Sequence, residues 1–137
     1  MVKASFKLST NPNNKNHKIH IASNGEKLVS KQELFIYEQL LKESDLHVEY
    51  EAGFEGSDKV LFPDFTVKSL VTGQVFIWEH FGMTNSDHYL NQIPNKLVWY
   101  AENGAMPVDQ GGNLIITYYN ERTFQNDVAN AISTILT

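Results

Sequence analysis

The sequence contains no cysteine, which excludes a disulfide framework, a thiolate zinc site and a cysteine nucleophile. No apolar run approaches the roughly 18 residues of a membrane-spanning helix. Residues 1–18 also lack the apolar core of a secretory signal peptide, so we expect a cytoplasmic protein. The chain has 137 residues, 42% of them hydrophobic and 12% aromatic, which suffices for one folded domain.

The net charge of −5 is distributed unevenly. Residues 1–31 hold six lysines and one acid, whereas residues 32–137 hold five basic residues and fifteen acids. This pattern divides the chain into a basic N-terminal arm, residues 1–27, and an acidic domain, residues 28–137. Because nucleic acids are bound through Lys and Arg, an acidic domain opposes that function unless its acids surround a metal ion. Otherwise the arm, a second subunit or a fused domain must deliver the nucleic acid.

Local patterns predict an α/β fold in the order helix, three strands, helix, strand, helix. Ser30 and Glu33 have capping-box spacing and begin the first helix, which should end near Lys42. A second helix should stop at Asn103-Gly104, with a kink or restart at Pro94. The strands are expected at residues 47–51, 60–68, 74–79 and 113–119, and the last helix at residues 121–136. We therefore predict a mixed four- to five-stranded sheet flanked by helices.

Two acids lie in the predicted hairpin of residues 60–79. Asp64 follows Pro63 in one strand and Glu79 ends the next, so a hairpin turning at residues 71–72 pairs the two acids, with Cβ atoms roughly 5 Å apart. Paired carboxylates repel each other, and a divalent cation with oxygen ligands would relieve that repulsion. Alternatively, a one-residue slip places the acids on opposite faces, and the domain is then structural or an oligomerisation unit.

The residues of this hairpin resemble a known family. Pro63-Asp64, a 14-residue spacer and Glu79, together with the element order over about residues 28–119, are similar to the PD-(D/E)XK nuclease superfamily. The longer strings are Phe62-Pro63-Asp64-Phe65 and Ile77-Trp78-Glu79-His80-Phe81-Gly82-Met83. The resemblance implies a three-layer restriction-endonuclease-like fold and a nuclease that hydrolyses phosphodiester bonds, with DNA as the expected substrate. It also implies Mg²⁺ or Mn²⁺ held by Asp64, Glu79 and the backbone carbonyl of His80, and a homodimer, helicase-like partner or fused domain.

The sequence departs from the family at one position. The superfamily's lysine is expected two residues after Glu79, where Phe81 stands. Some members supply it from the following helix, and Lys96 is placed for that role. Gln92, Lys96 and Tyr100 recur every four residues, so they share a helix face that resembles the polar motif of recombination-type exonucleases. Lys96 would then assist catalysis, with Gln92 and Tyr100 binding substrate. If Lys96 points away, the expected function is a catalytically inactive nucleic-acid-binding module.

Two further residues have both a functional and a structural interpretation. Glu33 either completes the acidic site or only caps its helix, and we favour the site. His80 could act as a general base or contact phosphate, but we favour a hydrogen-bonded structural role. We expect Glu49 and Glu51 on the solvated face of an edge strand, and Trp78 in the core on the face opposite Glu79.

Overall fold

The computed structural model of the protein describes residues 5–9, 11 and 17–137. In chain order, the strands of this described part are β1 (Ser5–Lys7), β2 (His20–Ile21), β3 (Lys27–Leu28), β4 (Leu46–Tyr50), β5 (Phe54–Glu55), β6 (Val60–Leu61), β7 (Phe65–Ser69), β8 (Val75–Phe81) and β9 (Leu114–Tyr118). The helices are α1 (Lys31–Leu41), α2 (Asp87–Glu102) and α3 (Phe124–Leu136). The element order confirms the predicted α/β class.

A mixed five-stranded sheet, in the order β1-β4-β7-β8-β9, forms the centre of the fold. The pairs β4–β7 and β7–β8 are antiparallel, whereas β1 lies parallel to β4 and β9 parallel to β8. Strand β1 was not predicted, and it brings part of the basic arm into the sheet. The domain boundary at residues 27 and 28 stays a prediction.

Helices cover both faces of the sheet. On one face, α1 and α3 pack with the strands in a large core that includes Tyr37, Trp78 and Ile132. On the other, α2 packs through Tyr100 against Ile77 of β8 and its neighbours. Because successive strand residues point to opposite faces, Trp78 enters the first core while Glu79 lies on the α2 side. The predicted core position of Trp78 is confirmed by its complete burial.

The helix limits follow the predicted signals closely. Helix α1 begins after Ser30, whose side chain accepts a hydrogen bond from the N–H of Glu33. Helix α2 ends at Asn103-Gly104, and Gly104 has a φ of +90° that suits glycine. The expected restart at Pro94 is wrong, since α2 runs through it as one helix. Pro94 removes one N–H from the helix ladder, and its ring lies on the exposed side of α2.

The strand predicted at residues 60–68 is broken. Residues 60–61 form β6, which pairs with β5 in a separate hairpin, and β7 begins only at Phe65. Pro63 explains the break, because it has no N–H to donate to a ladder. Residues 54–55 form the short strand β5, and Asp64 lies just before β7 rather than within a strand.

The predicted register of the β7–β8 hairpin is confirmed. Phe65 pairs with Trp78 and Lys68 with Val75, so the hairpin turns at residues 71–72 and the next position brings Asp64 level with Glu79. Gly73 completes the turn with a φ of +78°. Within the described residues, none of the helices combines the length and the apolar character needed to cross a membrane.

Candidate functional site

Asp64 and Glu79 meet where β7 begins and β8 ends. The N–H of Asp64 donates to Glu79 Oε1 at 3.2 Å, and the N–H of His80 donates to Asp64 Oδ2 at 2.6 Å. Each carboxylate is thus held by a peptide group from the opposite strand. The slipped register, which would have separated the acids, does not occur.

Lys96 reaches the same acids from α2. Its Nζ lies 2.5 Å from Glu79 Oε2, with 38% of the Lys96 side chain exposed and only 2% of Glu79. Helix α2 crosses the sheet face that carries Glu79, so a residue in its middle is placed above β8. Lys96 therefore points into the site, as the resemblance required.

The other two members of the α2 motif differ in position. The Tyr100 hydroxyl is buried and finds no hydrogen-bond partner among the described residues. Burial raises the pKa of Tyr100, and repulsion from Glu79 and Asp64 adds to this. Gln92 is exposed and contacts His88 at 3.1 Å, away from the acids. The structure thus buries Tyr100 in the core on the α2 side of the sheet and leaves Gln92 on the surface.

Glu33 enters the site from the start of α1. Its backbone N–H is bonded to Ser30, but its side chain turns inward, where the Tyr50 hydroxyl donates to Glu33 Oε1 at 2.6 Å. Burial raises the pKa of Glu33, and repulsion from Glu51 contributes. The two interpretations of Glu33 are therefore compatible, because its backbone belongs to the helix cap and its carboxyl to the acidic site.

The acids hold protons more tightly than isolated carboxyl groups. Burial raises the pKa of Asp64 well above its usual value, and repulsion from Glu79 and Glu33 raises it further. Burial also raises the pKa of Glu79, against the opposing effect of Lys96. One lysine thus does not offset the cost of gathering these carboxylates out of water.

The donor set fits a hard divalent cation. Among the described residues, no three His, Cys, Asp or Glu side chains are grouped so as to hold a metal ion. The carboxylates available at the site are Asp64 and Glu79, and the resemblance adds the backbone carbonyl of His80. Mg²⁺ typically takes one or two carboxylates and keeps several waters, so these oxygen donors suit it.

A cavity of about 430 Å³ opens onto the acids. Glu33, Asp64, Glu79 and Lys96 line it, together with Gln32 and Tyr89, which the sequence analysis did not select. Burial raises the pKa of Tyr89, with repulsion from Asp64, Glu79 and Glu33 as further causes. The adjacency of Gln32 to Glu33 was the available signal, whereas Tyr89 stands among the apolar residues of its helix and carried none.

The His80 ring lies on the opposite face of the sheet from the acids. Its Nδ1 is 2.8 Å from Thr117 Oγ1, its Nε2 is 2.7 Å from Gln32 Oε1, and the ring packs on Phe124 with centroids 5.3 Å apart. Burial lowers the pKa of His80 to about 4, so the ring is neutral near neutral pH. These contacts agree with the favoured structural role.

The expectation for Glu51 was wrong. Strand β4 is interior, since β1 covers its outer side, and Glu51 at its end is buried with a φ of +52°. Its Oε1 lies 2.6 Å from Lys18 Nζ, and both side chains are about one-tenth exposed. Its N–H donates to the carbonyl of Asp64 at 2.9 Å. Lys18 is therefore engaged with the protein, while Lys3 and Lys15 of the basic arm lie outside the described residues.

No protein-family model matches the sequence, and comparisons with curated proteins and with solved structures gave no match. The geometry of the site therefore carries the functional argument.

Proposed function

We propose that the protein is a metal-dependent nuclease with a restriction-endonuclease-like three-layer core. The observation that carries this proposal is the pair of hydrogen bonds that hold the two acids together, from the N–H of Asp64 to Glu79 and from the N–H of His80 to Asp64, with Lys96 ion-paired to Glu79. Buried carboxylates with raised pKa values need a compensating charge, and such a cluster in a cavity is typical of functional sites. The proposed substrate is nucleic acid, DNA in the first instance, and the proposed location is the cytoplasm.

Each residue has a defined role in this proposal. Asp64, Glu79 and the His80 carbonyl would hold Mg²⁺ or Mn²⁺, and the bound ion would supply charge to polarise the phosphodiester and lower the pKa of a water. Lys96 holds and orients that water and stabilises the charge that develops on the phosphorus oxygens. Glu33, held by Tyr50, accepts the proton from the water as its oxygen bonds to phosphorus; the P–O3′ bond breaks, and the leaving 3′-oxygen takes a proton from solvent. A homodimer, a helicase-like partner or a fused domain would supply the phosphate contacts that the acidic domain lacks.

The test compares Asp64→Asn and Glu79→Gln with Asp109→Asn, which removes an exposed acid outside the cavity. Purified proteins are incubated with single- and double-stranded DNA and with RNA in Mg²⁺ or Mn²⁺. The two site variants should lose cleavage but keep a cooperative thermal transition, whereas the control should cut like the wild type. Products with 5′-phosphate and 3′-hydroxyl ends are expected. Equal cutting by both site variants would refute the assignment.

A catalytically inactive nucleic-acid-binding module is the second candidate. It is favoured by Phe81, which is buried where the family carries its lysine, and by the Lys96–Glu79 ion pair, which partly balances the charge without a metal ion. Calorimetric titration separates the two candidates. Binding of Mg²⁺ or Mn²⁺ by the wild type, lost in Asp64→Asn, supports the nuclease, whereas DNA binding without any metal binding supports the module.

A further inference from the structure

A chain of hydrogen bonds runs along the face of the sheet that carries Trp78 and the His80 ring, beside the acidic site. Trp78 Nε1 donates to Thr117 Oγ1 at 2.9 Å, and Thr117 Oγ1 lies 2.8 Å from His80 Nδ1. On the other side of the imidazole, His80 Nε2 lies 2.7 Å from Gln32 Oε1. The chain therefore begins in the core and ends at Gln32, which lines the cavity of the acids.

The positions of the protons follow from the two ends of this chain. An amide oxygen only accepts, so the contact with Gln32 Oε1 requires the hydrogen on His80 Nε2. A neutral imidazole has only one N–H, so Nδ1 accepts, and the Thr117 hydroxyl donates to it. The other end agrees, because an indole N–H only donates and Thr117 Oγ1 can accept it while donating to His80. Both ends of the chain therefore agree with a hydrogen on His80 Nε2 and with Gln32 Oε1 as its acceptor.

This orientation leaves both N–H groups of Gln32 Nε2 without an acceptor among the described residues. Gln32 and Gly82 line the acid cavity and also a neighbouring groove of about 610 Å³ that contains Asn85, Asn120 and Arg122. Gly82 packs closely against the Gln32 side chain. Only glycine fits there, since a Cβ would lie 2.7 Å from Gln32 Oε1. Gln32 therefore stands where the two cavities join.

We propose that Gln32 is a substrate-binding residue, whose side-chain amide donates to a non-scissile phosphate of a nucleic-acid strand passing from the acids towards Arg122. This inference rests on the proposed nuclease function. Amide and guanidinium groups are common donors to phosphate oxygens, and such contacts position a strand without reading its sequence. They matter more here, because the neighbouring carboxylates repel the backbone. His80 and Thr117 are positioning residues that act through Gln32.

The binding test uses Gln32→Glu, Gln32→Met and the control Gln39→Glu. Glu at position 32 keeps an oxygen for His80 but has no N–H donor, and Met removes the donor without adding charge. Gln39→Glu makes the same charge change on the same helix, outside both cavities. We expect both position-32 variants to weaken DNA binding by about tenfold and to raise KM more than they lower kcat, while Gln39→Glu stays within about twofold. Fluorescence anisotropy in EDTA gives the affinity, and Mg²⁺ assays give KM and kcat.

A second measurement tests the orientation itself. Long-range ¹H–¹⁵N spectra should show His80 with its hydrogen on Nε2 in the wild type, and Thr117→Val should lose this preference and weaken DNA binding in the same direction. If the wild type binds and cuts DNA but the position-32 variants match Gln39→Glu, this inference fails and the nuclease proposal stands. A hydrogen on Nδ1 in the wild type would also overturn it. If the wild type neither binds nor cuts DNA or RNA, both proposals fail.

Discussion

Asp64 donates its backbone N–H to Glu79 Oε1 at 3.2 Å, so the peptide chain itself holds two like charges together. The peptide of His80 returns the same kind of bond to Asp64 Oδ2 at 2.6 Å. Neither acid can turn away without breaking a bond made by the opposite strand. The folded protein therefore retains a repulsion that an added cation would relieve.

Replacing Asp64 with Asn should stabilise the metal-free protein at alkaline pH. The pKa of Asp64 is raised above its usual 3.8, so the folded state binds the proton more tightly than the unfolded state. The resulting stability is present below about pH 4 and is lost as pH rises towards the folded pKa. We expect Asp64→Asn to raise the melting temperature at about pH 8 and to change it little near pH 4.

Bound Mg²⁺ should relieve the same repulsion between Asp64 and its neighbouring carboxylates, which gives a second test. It should raise the melting temperature of the wild type at about pH 8 but not that of Asp64→Asn. Asp109→Asn serves as the control, because Asp109 is exposed and lies outside the cavity. A lower melting temperature of Asp64→Asn than of the wild type at alkaline pH would contradict the argument.

Removing Lys96 should have the opposite effect on stability. Lys96→Met leaves the buried Glu79 without its cation, which we expect to cost about 1–2 kcal/mol at neutral pH. The value is below that for a fully buried pair because 38% of the Lys96 side chain is exposed. Urea unfolding measures the change, with Lys68→Met on the exposed side of β7 as the control. Equal stability of the two variants would argue against a tight ion pair.

The Tyr50 hydroxyl should contribute to both the stability and the activity of the protein. Tyr50→Phe removes the donor to Glu33 Oε1 and the acceptor of the Val29 N–H, so we expect a loss of about 1–3 kcal/mol and reduced cleavage. Tyr37→Phe is the matched control, since Tyr37 is equally buried but bonds Asn24 outside the site. The control should lose some stability and keep its cleavage rate per folded molecule. Equal effects on activity would remove Glu33 from the proposed mechanism.

Gly56 should tolerate no side chain. A Cβ at this position would overlap the Trp99 ring, which is fixed by a 2.8 Å bond to Asp58 and by contact with the Phe54 ring. Gly56→Ala should therefore destabilise the protein by about 1–3 kcal/mol. In Gly53→Ala the nearest atom would be Val60 Cγ1 at 3.2 Å, on an exposed side chain that can move. Thermal unfolding should show the smaller loss for Gly53→Ala.

Local signals predicted much of this fold. Ser30 marked the start of α1, Asn103-Gly104 the end of α2, and the turn at residues 71–72 the register that brings Asp64 to Glu79. Each of these depends on neighbours in sequence.

The features that the sequence did not predict depend on distant contacts. Strand β1 pairs in parallel with a strand about forty residues away, and three residues carry no signal for such a partner. The same pairing makes β4 interior, which is why Glu51 is buried. The contact between Gln32 and His80 joins residues 48 positions apart, so no local pattern marks it.

Successive side chains of β8 point to opposite faces of the sheet, so Trp78 and the His80 ring lie on one face and Glu79 on the other. Inserting a single residue between Phe76 and Glu79 would direct the carboxylate towards the tryptophan core and the imidazole towards α2. Natural variation in chain length is therefore expected at the turn of residues 70–74, where Val71 is exposed, and not within β8. Engineered tags or loops should be tolerated at that turn for the same reason.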